Sequence, residues 1–440
     1  MGLSDNTPRV GIYTLGCKVN QYESEAIAEL FLKEGFSVCA PNEICDVYVI
    51  NTCTVTAESD RKARQIIRRF ISKNPNAVVI VTGCYAQASP DEVARIAGVT
   101  AVVGNREKTA VVLAARKHLR ERSEALPEIM VSSLDGAGFE PMSITKFDRT
   151  RAYVKIEDGC ESHCAYCIIP SARGAIRSKP LREVVQEVRV LTENGCPEIV
   201  LTGIETASYG KDLTGDSLSS LLRAVDEIDG IGRVRLGSLD PSSIKPRFVS
   251  EIKDLSSLAP HFHLSMQSGS SSVLARMKRK YNRDQALTAM KLLREAIPNV
   301  QFTTDIIVGF PGETEEEFMD TVSLIRDGGF LMVHIFPYSK RKGTIAAKMV
   351  GQIPEEIKSE RLHFLSEIEK DSRRTILQRT VDDGNPLSVL FETYKNGYAY
   401  GHTPSFIEVR VPSPRALTGT THSVRPISTD GSVIDGAVEF

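Results

Sequence analysis

The stretch Asp158-Gly159-Cys160-Glu161-Ser162-His163-Cys164-Ala165-Tyr166-Cys167-Ile168-Ile169-Pro170 decides how this chain reads. The run over 151–156 predicts a strand that feeds straight into it, so three cysteines at C-x3-C-x2-C spacing share one short loop. Soft thiolate sulfur suits iron, and a loop this short wraps three corners of a 4Fe–4S cube. No fourth cysteine stands close by, which leaves one iron open to an outside ligand. Two plainer readings compete: a zinc site, which wants a fourth protein ligand, and three unconnected buried cysteines.

A length of 440 residues implies two to four domains around that loop. With 41 % apolar and 25 % charged residues the chain can build ordinary cores and a soluble surface. The N-terminus lacks the basic-then-apolar pattern of a secretion signal, and no apolar run approaches bilayer length. A cytoplasmic protein with no membrane partner is therefore expected. Nine cysteines in such a setting argue for metal or redox use rather than disulfides. A formal net charge of −2 means that any polyanion must be held by local basic patches.

In the N-terminal third, the run 9–15 predicts a buried strand ending at Gly16-Cys17-Lys18, with a helix from about 22 to 33. A strand over 46–50 leads to Asn51-Thr52-Cys53, and a basic helix over about 57–73 follows. A strand over 77–82 leads to Gly83-Cys84-Tyr85, and Pro90-Asp91-Glu92 opens another helix. Repeated strand–loop–helix units imply a parallel, Rossmann-like sheet whose strand C-terminal ends share one edge. Cys17, Cys53 and Cys84 each follow such an end and should converge there as a second three-cysteine cluster site. Three buried structural cysteines are the alternative. Cys39, Cys45 and Cys196 lack this placement and read as core residues. Arg61, Arg64 and Arg68 belong to a basic run that is either a solvated helix face or an RNA-backbone contact. Periodicity fades over 123–149, which reads as a linker.

From 151 onward, strands at 198–201, 233–236, 261–265, 301–308 and 331–336 join the cluster strand. Six β-α units predict a partial TIM-type barrel, with its chemistry at the strand C-terminal ends. The Cys160 loop resembles the radical SAM signature, and around the S-adenosylmethionine (SAM) that this resemblance implies, Gly203 would let backbone approach the methionine end, and Ser265 and Gln267 would bond the ribose. Ile307 and Gly309 would flank adenine. Glu205 and Ser238, in the loops after two strands, complete the expected SAM contacts with Tyr166. Glu313 and the acids after it read as a helix start, and His261 and His263 as structural. Lys340, Arg341 and Lys342 follow the last barrel strand at the active-site rim, where a substrate phosphate could be held. A charged helix over 354–379 precedes five short strands that suggest a small β-barrel. Four Lys or Arg against seven acids from Val381 onward make strong electrostatic RNA binding by that barrel alone doubtful.

The Cys160 loop, with an aromatic before its last cysteine, resembles the radical SAM signature, in which the amino and carboxylate groups of SAM take the open iron. Over nearly its full length the chain resembles the radical SAM methylthiotransferases, most of all those acting on threonylcarbamoyladenosine in tRNA. The resemblance rests on Thr14-Leu-Gly-Cys17-Lys-Val-Asn-Gln-Tyr-Glu-Ser24, Asn51-Thr-Cys53-Thr-Val-Thr56, Gly83-Cys84-Tyr-Ala-Gln87, the three loop cysteines and Phe336-Pro-Tyr-Ser-Lys-Arg-Lys-Gly-Thr344. It implies a methylthiotransferase domain over 7–120, a linker over 121–147, a radical SAM domain over 148–378 and a TRAM domain over 380–440. It also implies two 4Fe–4S clusters, an auxiliary one on Cys17, Cys53 and Cys84 and a SAM-cleaving one on Cys160, Cys164 and Cys167. The expected partners are tRNA at its anticodon loop, a reductant such as flavodoxin or ferredoxin, and a sulfur source. SAM would serve as radical source and methyl donor for a methylthio group at C2 of the adenine. Glu205 stands where the resemblance leads one to expect His, and Ser271 where it leads one to expect an acid. Isopentenyladenosine in tRNA, a ribosomal protein, or a non-catalytic RNA-binding iron–sulfur role are the competing expectations.

Overall fold

The computed structural model describes residues 7–121, 126–147 and 149–439. The first half of the chain builds a six-stranded sheet from β1 (Arg9–Thr14), β2 (Ser37–Cys39), β3 (Val47–Thr52), β4 (Val78–Gly83), β5 (Ala101–Val103) and β6 (Glu128–Met130). Its order is β2-β1-β3-β4-β5-β6, and every pairing is parallel. β3 and β4 are buried at all six positions, as strands covered by helices on both faces must be. Alternate residues serve two cores. Val49, Ile80 and Val103 meet Phe31 of α1 (Lys18–Lys33). Ile50, Val79 and Val81 meet Ile67 and Phe70 of α2 (Ala57–Lys73) on the opposite face.

Two expectations need correction. The first helix begins directly after Cys17, which is its N-cap, four residues before the expected start. Within the stretch read as linker, Glu128–Met130 pairs with β5 and forms the sheet edge. Beyond that edge strand, Met142 and Ile144 are buried in the main core, and the Ile144 N–H donates to Glu187 at 2.7 Å. Residues 122–125 of the expected linker and residue 148 at the expected domain start lie outside the described residues.

Six further parallel strands follow: β7 (Ala152–Lys155), β8 (Glu198–Thr202), β9 (Arg233–Leu236), β10 (His261–Gln267), β11 (Gln301–Val308) and β12 (Met332–Pro337). They form two three-stranded sheets, β9-β8-β7 and β10-β11-β12, linked by a parallel bridge between Leu239 and Leu264. Phe262, Leu264 and Met266 pack into the main core. Side chains alternate along a strand, so His261, His263 and Ser265 face the concave side. A 29-residue helix, Glu355–Asp383, ends on left-handed Gly384. The chain closes with a barrel of β13 (Leu387–Lys395), β14 (Tyr398–His402), β15 (Glu408–Pro412), β16 (Thr421–Thr429) and β17 (Ile434–Val438).

The small barrel docks on the floor of the concave channel. There Glu198 accepts from Arg235 Nε at 2.9 Å and Arg233 Nη1 at 3.1 Å, and Arg151 pairs with both Glu198 and Glu392. Phe406 stacks between His261 and His402, with ring centroids 4.7 and 4.6 Å away, and the Arg235 guanidinium lies 4.9 Å from its centre. Truncating Phe406 to Ala removes stacking on both sides. It should cost about 3 kcal/mol, read as earlier proteolytic release of the C-terminal barrel.

Burial works against the Glu198 charge, but Arg235, Arg151 and Arg233 outweigh it and hold the carboxyl at about 2 against an ordinary 4.5. A depressed carboxylate contributes stability above pH 4.5 and loses it as pH falls toward 2. The fall of Tm over that window should be shallower in Glu198→Gln than in the parent chain.

Candidate active site

The strand ends of the first sheet bring Cys17, Cys53 and Cys84 together. Gly16 has a φ of +110°, and a Cβ there would stand 2.8 Å from Cys53 Cβ and 3.2 Å from its sulfur. Only glycine fits, so the Cys17 turn presses directly on Cys53. Cys84 opens a short helix, α3 (Cys84–Ala88), at the end of β4. Cys17 and Cys53 each feel the charge of Cys84, and Cys53 that of Cys17. The loop cysteines are related in the same way, Cys160 and Cys167 both feeling Cys164.

All six are free thiols. Burial pushes Cys53 and Cys160 up to about 11 and Cys167 up to about 12, and it raises Cys17 as well. Metal must therefore displace protons on binding. Among the described residues, only His263, Asp305 and His334 hold three ligand atoms within 4.8 Å of one another. The cysteine triads are more open than one ion would want, and two all-sulfur sets on loops suit iron–sulfur chemistry.

A cation joins the two triads. Arg173 ends α4 (Ile169–Arg173), the single helical turn that follows Cys167. It is fully buried; its Nε donates to Cys84 Sγ at 3.1 Å, Nη1 to Glu23 at 2.5 Å and Nη2 to Asn20 Oδ1 at 2.6 Å. Lys108 and Lys155 also pair with Glu23, while Arg173, Lys155 and Arg177 pair with Asp158. Four buried cations thus meet two carboxylates. Burial opposes the Arg173 charge, and Cys84, Glu23 and Asp158 more than restore it. The surplus positive charge sits where thiolates bound to iron would need it. Arg279 does the same for the other triad, donating to Cys164 Sγ at 3.1 Å and to Asp240 at 2.7 Å.

The expected SAM contacts fall at the strand ends with differing roles. Tyr166 packs beside Phe310 and Tyr338, and burial holds its hydroxyl protonated despite Arg279. Gly203 leaves room for Glu157, whose carboxylate would lie 2.6 Å from a Cβ there and accepts from the Glu205 N–H at 2.8 Å. Glu205 accepts from Ser162 at 3.2 Å and lies 3.7 Å from Cys160 Sγ, so this departure from the family pattern touches the cluster loop. The Ser265 carbonyl holds Arg279 and Tyr281. Gln267 sits at a bulge with φ +65°, a strained placement that favours a functional role. Ser238 and Ile307 are half-buried. The Gly309 N–H is taken by Glu313 at 2.6 Å. Glu313 also binds Arg361, while Thr314 caps the helix that follows and Glu315, Glu316 and Glu317 form its acidic first turn, the helix start expected of this stretch.

Among the basic candidates, Arg61 pairs with Glu58, and Arg64 with Tyr85 and Glu92. Arg68, Lys340 and Lys342 are exposed. Arg341 corrects the expectation of an RNA contact: it is buried against Asp60 and Thr54, clamping the barrel rim to α2. Sequence reading assigned no site role to Arg173 or Arg279, nor to Asn20 and Glu23 within the quoted Thr14–Ser24 stretch. The hint for Arg173 was its place soon after the last loop cysteine, Ile169–Arg173 forming one helical turn.

Residues 154–325 match the Radical SAM superfamily, and residues 9–104 match the Uncharacterized protein family UPF0004. The chain is 40% identical over 407 residues to the threonylcarbamoyladenosine tRNA methylthiotransferase MtaB of Bacillus subtilis, covering 91% of this chain and 89% of that protein. It is 40% identical over 421 residues to the Thermotoga maritima protein of the same name, covering 94% of each. Among solved structures, the radical S-adenosylmethionine methyltransferase TsrM from Kitasatospora setae aligns at a TM-score of 0.55 and 16% identity over 75% of each chain, a likeness of fold. The chain belongs to the radical SAM methylthiotransferase family. It is an enzyme of that class, and membership implies SAM and a 4Fe–4S cluster. No helix among the described residues is long and apolar enough to cross a membrane.

Replacing Arg173 by Met leaves buried carboxylates short of a partner, a change worth about 3–5 kcal/mol. Arg173→Met should lower Tm by several degrees, and Arg173→Lys, which keeps charge without the fork, by less; thermal unfolding distinguishes them.

Proposed function

We propose that this protein adds a methylthio group to C2 of N6-threonylcarbamoyladenosine at position 37 of tRNA, beside the anticodon. The observation that carries this reading is Arg173, which follows the Cys160–Cys167 loop by one helical turn yet bonds Cys84 of the other triad. Two sulfur sets held that rigidly by one cation are the arrangement two cooperating clusters require. The names of the relatives supply the substrate.

On this reading Cys160, Cys164 and Cys167 hold one 4Fe–4S cluster, and Cys17, Cys53 and Cys84 hold a second. When bound, these groups with SAM supply a carbon radical, a methyl group and the sulfur. The chain's own residues do the rest. Arg279 and Arg173 donate to the sulfurs of Cys164 and Cys84, where they would offset thiolate charge once metal is bound, Arg341 fixes the two halves, and Gln267, Ser265 and Ser238 line the SAM side. Arg61, Arg68, Lys340 and Lys342 offer charge to the RNA backbone. The adenine must leave its stack to reach the cleft, which suits an unpaired anticodon-loop nucleotide. A reductant such as flavodoxin or ferredoxin and a sulfur source complete the partners, in the cytoplasm.

Anaerobic reconstitution tests the layout. Cys17→Ala, Cys53→Ala or Cys84→Ala should each halve iron and sulfide per chain while SAM cleavage to 5′-deoxyadenosine persists. Nucleosides of tRNA from a deletion strain should lack 2-methylthio-N6-threonylcarbamoyladenosine. Unchanged levels, or loss of the methylthio-isopentenyl nucleoside instead, would overturn the assignment.

A further inference from the structure

The concave channel of the six barrel strands carries charge that neither cluster uses. His263, Asp305 and His334 lie on neighbouring strands β10, β11 and β12, with Asp305 paired directly beside His334 in register. His263 is fully engaged: Nδ1 contacts Thr303 Oγ1 at 2.9 Å and Nε2 lies 3.2 Å from Asp305 Oδ2. With both ring nitrogens occupied it is a poor metal ligand, and it instead fixes Asp305. His334 is exposed toward the channel and makes no hydrogen bond among the described residues.

Lys18 is exposed at the first position of α1, which packs against β7 of the barrel. From there its ammonium feels Arg235, Arg151, Asp305 and Glu198, and acts on His261 and His334 in turn. Only the concave face brings these together. Arg151, Arg233 and Arg235 all lean on Glu198, whereas Lys18 forms no ion pair among the described residues. Two buried polar atoms on the floor, Arg235 Nη1 and His261 Nδ1, also lack partners among the described residues. Lys18 follows Cys17 directly, so the channel adjoins the proposed sulfur-bearing triad.

We propose that this channel is the subsite for the N6 substituent of the substrate adenine, with Lys18 binding a carboxylate and Asp305 and His334 its flanking N–H and hydroxyl groups. The inference rests on the function proposed above and adds the residues that select the substrate. A threonylcarbamoyl group carries one carboxylate, one hydroxyl and a ureido N–H, which match a free cation, a fixed carboxylate and an imidazole. An isopentenyl group offers only apolar surface. Seating it here would desolvate Lys18 and Asp305 with no compensating bond. Sites built to hydrogen-bond a group reject analogues lacking it far better than apolar pockets reject extra polarity.

The test uses reconstituted full-length protein and fluorescent anticodon stem-loops bearing threonylcarbamoyladenosine, its carboxamide analogue or isopentenyladenosine. Binding is read by anisotropy and methylthiolation by mass spectrometry. The parent protein should bind the carboxylate form about tenfold or more tightly than the carboxamide, and Lys18→Met should reduce that ratio to near one. His334→Leu should weaken both forms. Equal binding of carboxylate and carboxamide by the parent, which needs no variant to fold, overturns the inference; so does a ratio that survives in Lys18→Met. If the threonylcarbamoyl stem-loop is still methylthiolated in either case, the proposed function stands. Methylthiolation of the isopentenyl stem-loop alone overturns both.

Discussion

Arg173 is the constraint on which the rest of the molecule hangs. Its guanidinium is fully buried, and its fork has hydrogen-bond partners on every nitrogen: Cys84, Glu23, Asn20 and Asp158. A lysine could offer the charge but not the planar fan of donors. Arg173 belongs to the barrel half by sequence and to the sheet half by contact, so neither half can move without exposing or stranding a buried charge. Breaking such a network is far more costly than forming it is rewarding. The network is therefore a device for position more than for stability, and positioning to a fraction of an ångström is what chemistry between two sites demands.

Further polar contacts repeat the theme at the edges of the same seam. Glu29 accepts from Thr145 at 2.6 Å, Tyr22 donates to the Met142 carbonyl at 2.6 Å, and Lys179 pairs with Glu187 at 2.5 Å. The segment between the halves is consequently fastened along its length. Arg341 closes the seam from the opposite side through Asp60. A basic residue at an active-site rim need not be there for RNA.

Much of this was legible from residue order. Repeated strand–loop–helix runs gave most of the parallel strands of both halves, and the change to five short strands near the C-terminus gave the closing barrel. Cys160, Cys164 and Cys167 stand out by their spacing on one loop, and Cys17, Cys53 and Cys84 because parallel topology forces strand ends onto one edge. What stayed hidden was set by tertiary partners. Ala101–Val103 and Glu128–Met130 are too short to announce themselves, and they are strands only because β4 offers an edge to the first and the first offers an edge to the second. Lys18 looked like a turn residue until Cys17 proved to be a helix cap. Arg173 and Arg341 carry no local pattern at all, since a buried cation is defined by carboxylates many residues away. The glycine at 203 was expected to admit the methionine end of SAM; the group that its missing side chain makes room for is Glu157.

The docking of the C-terminal barrel has a meaning for reactivity. A carbon radical survives only where thiols, water and stray hydrogen donors are kept out. Six strands leave their cylinder open at its base, and Phe406, wedged between two imidazoles and lying against Arg235, stoppers that opening. The small barrel thus acts as a bung for the reaction vessel, and its attachment bears on how many radical events end in product instead of being quenched.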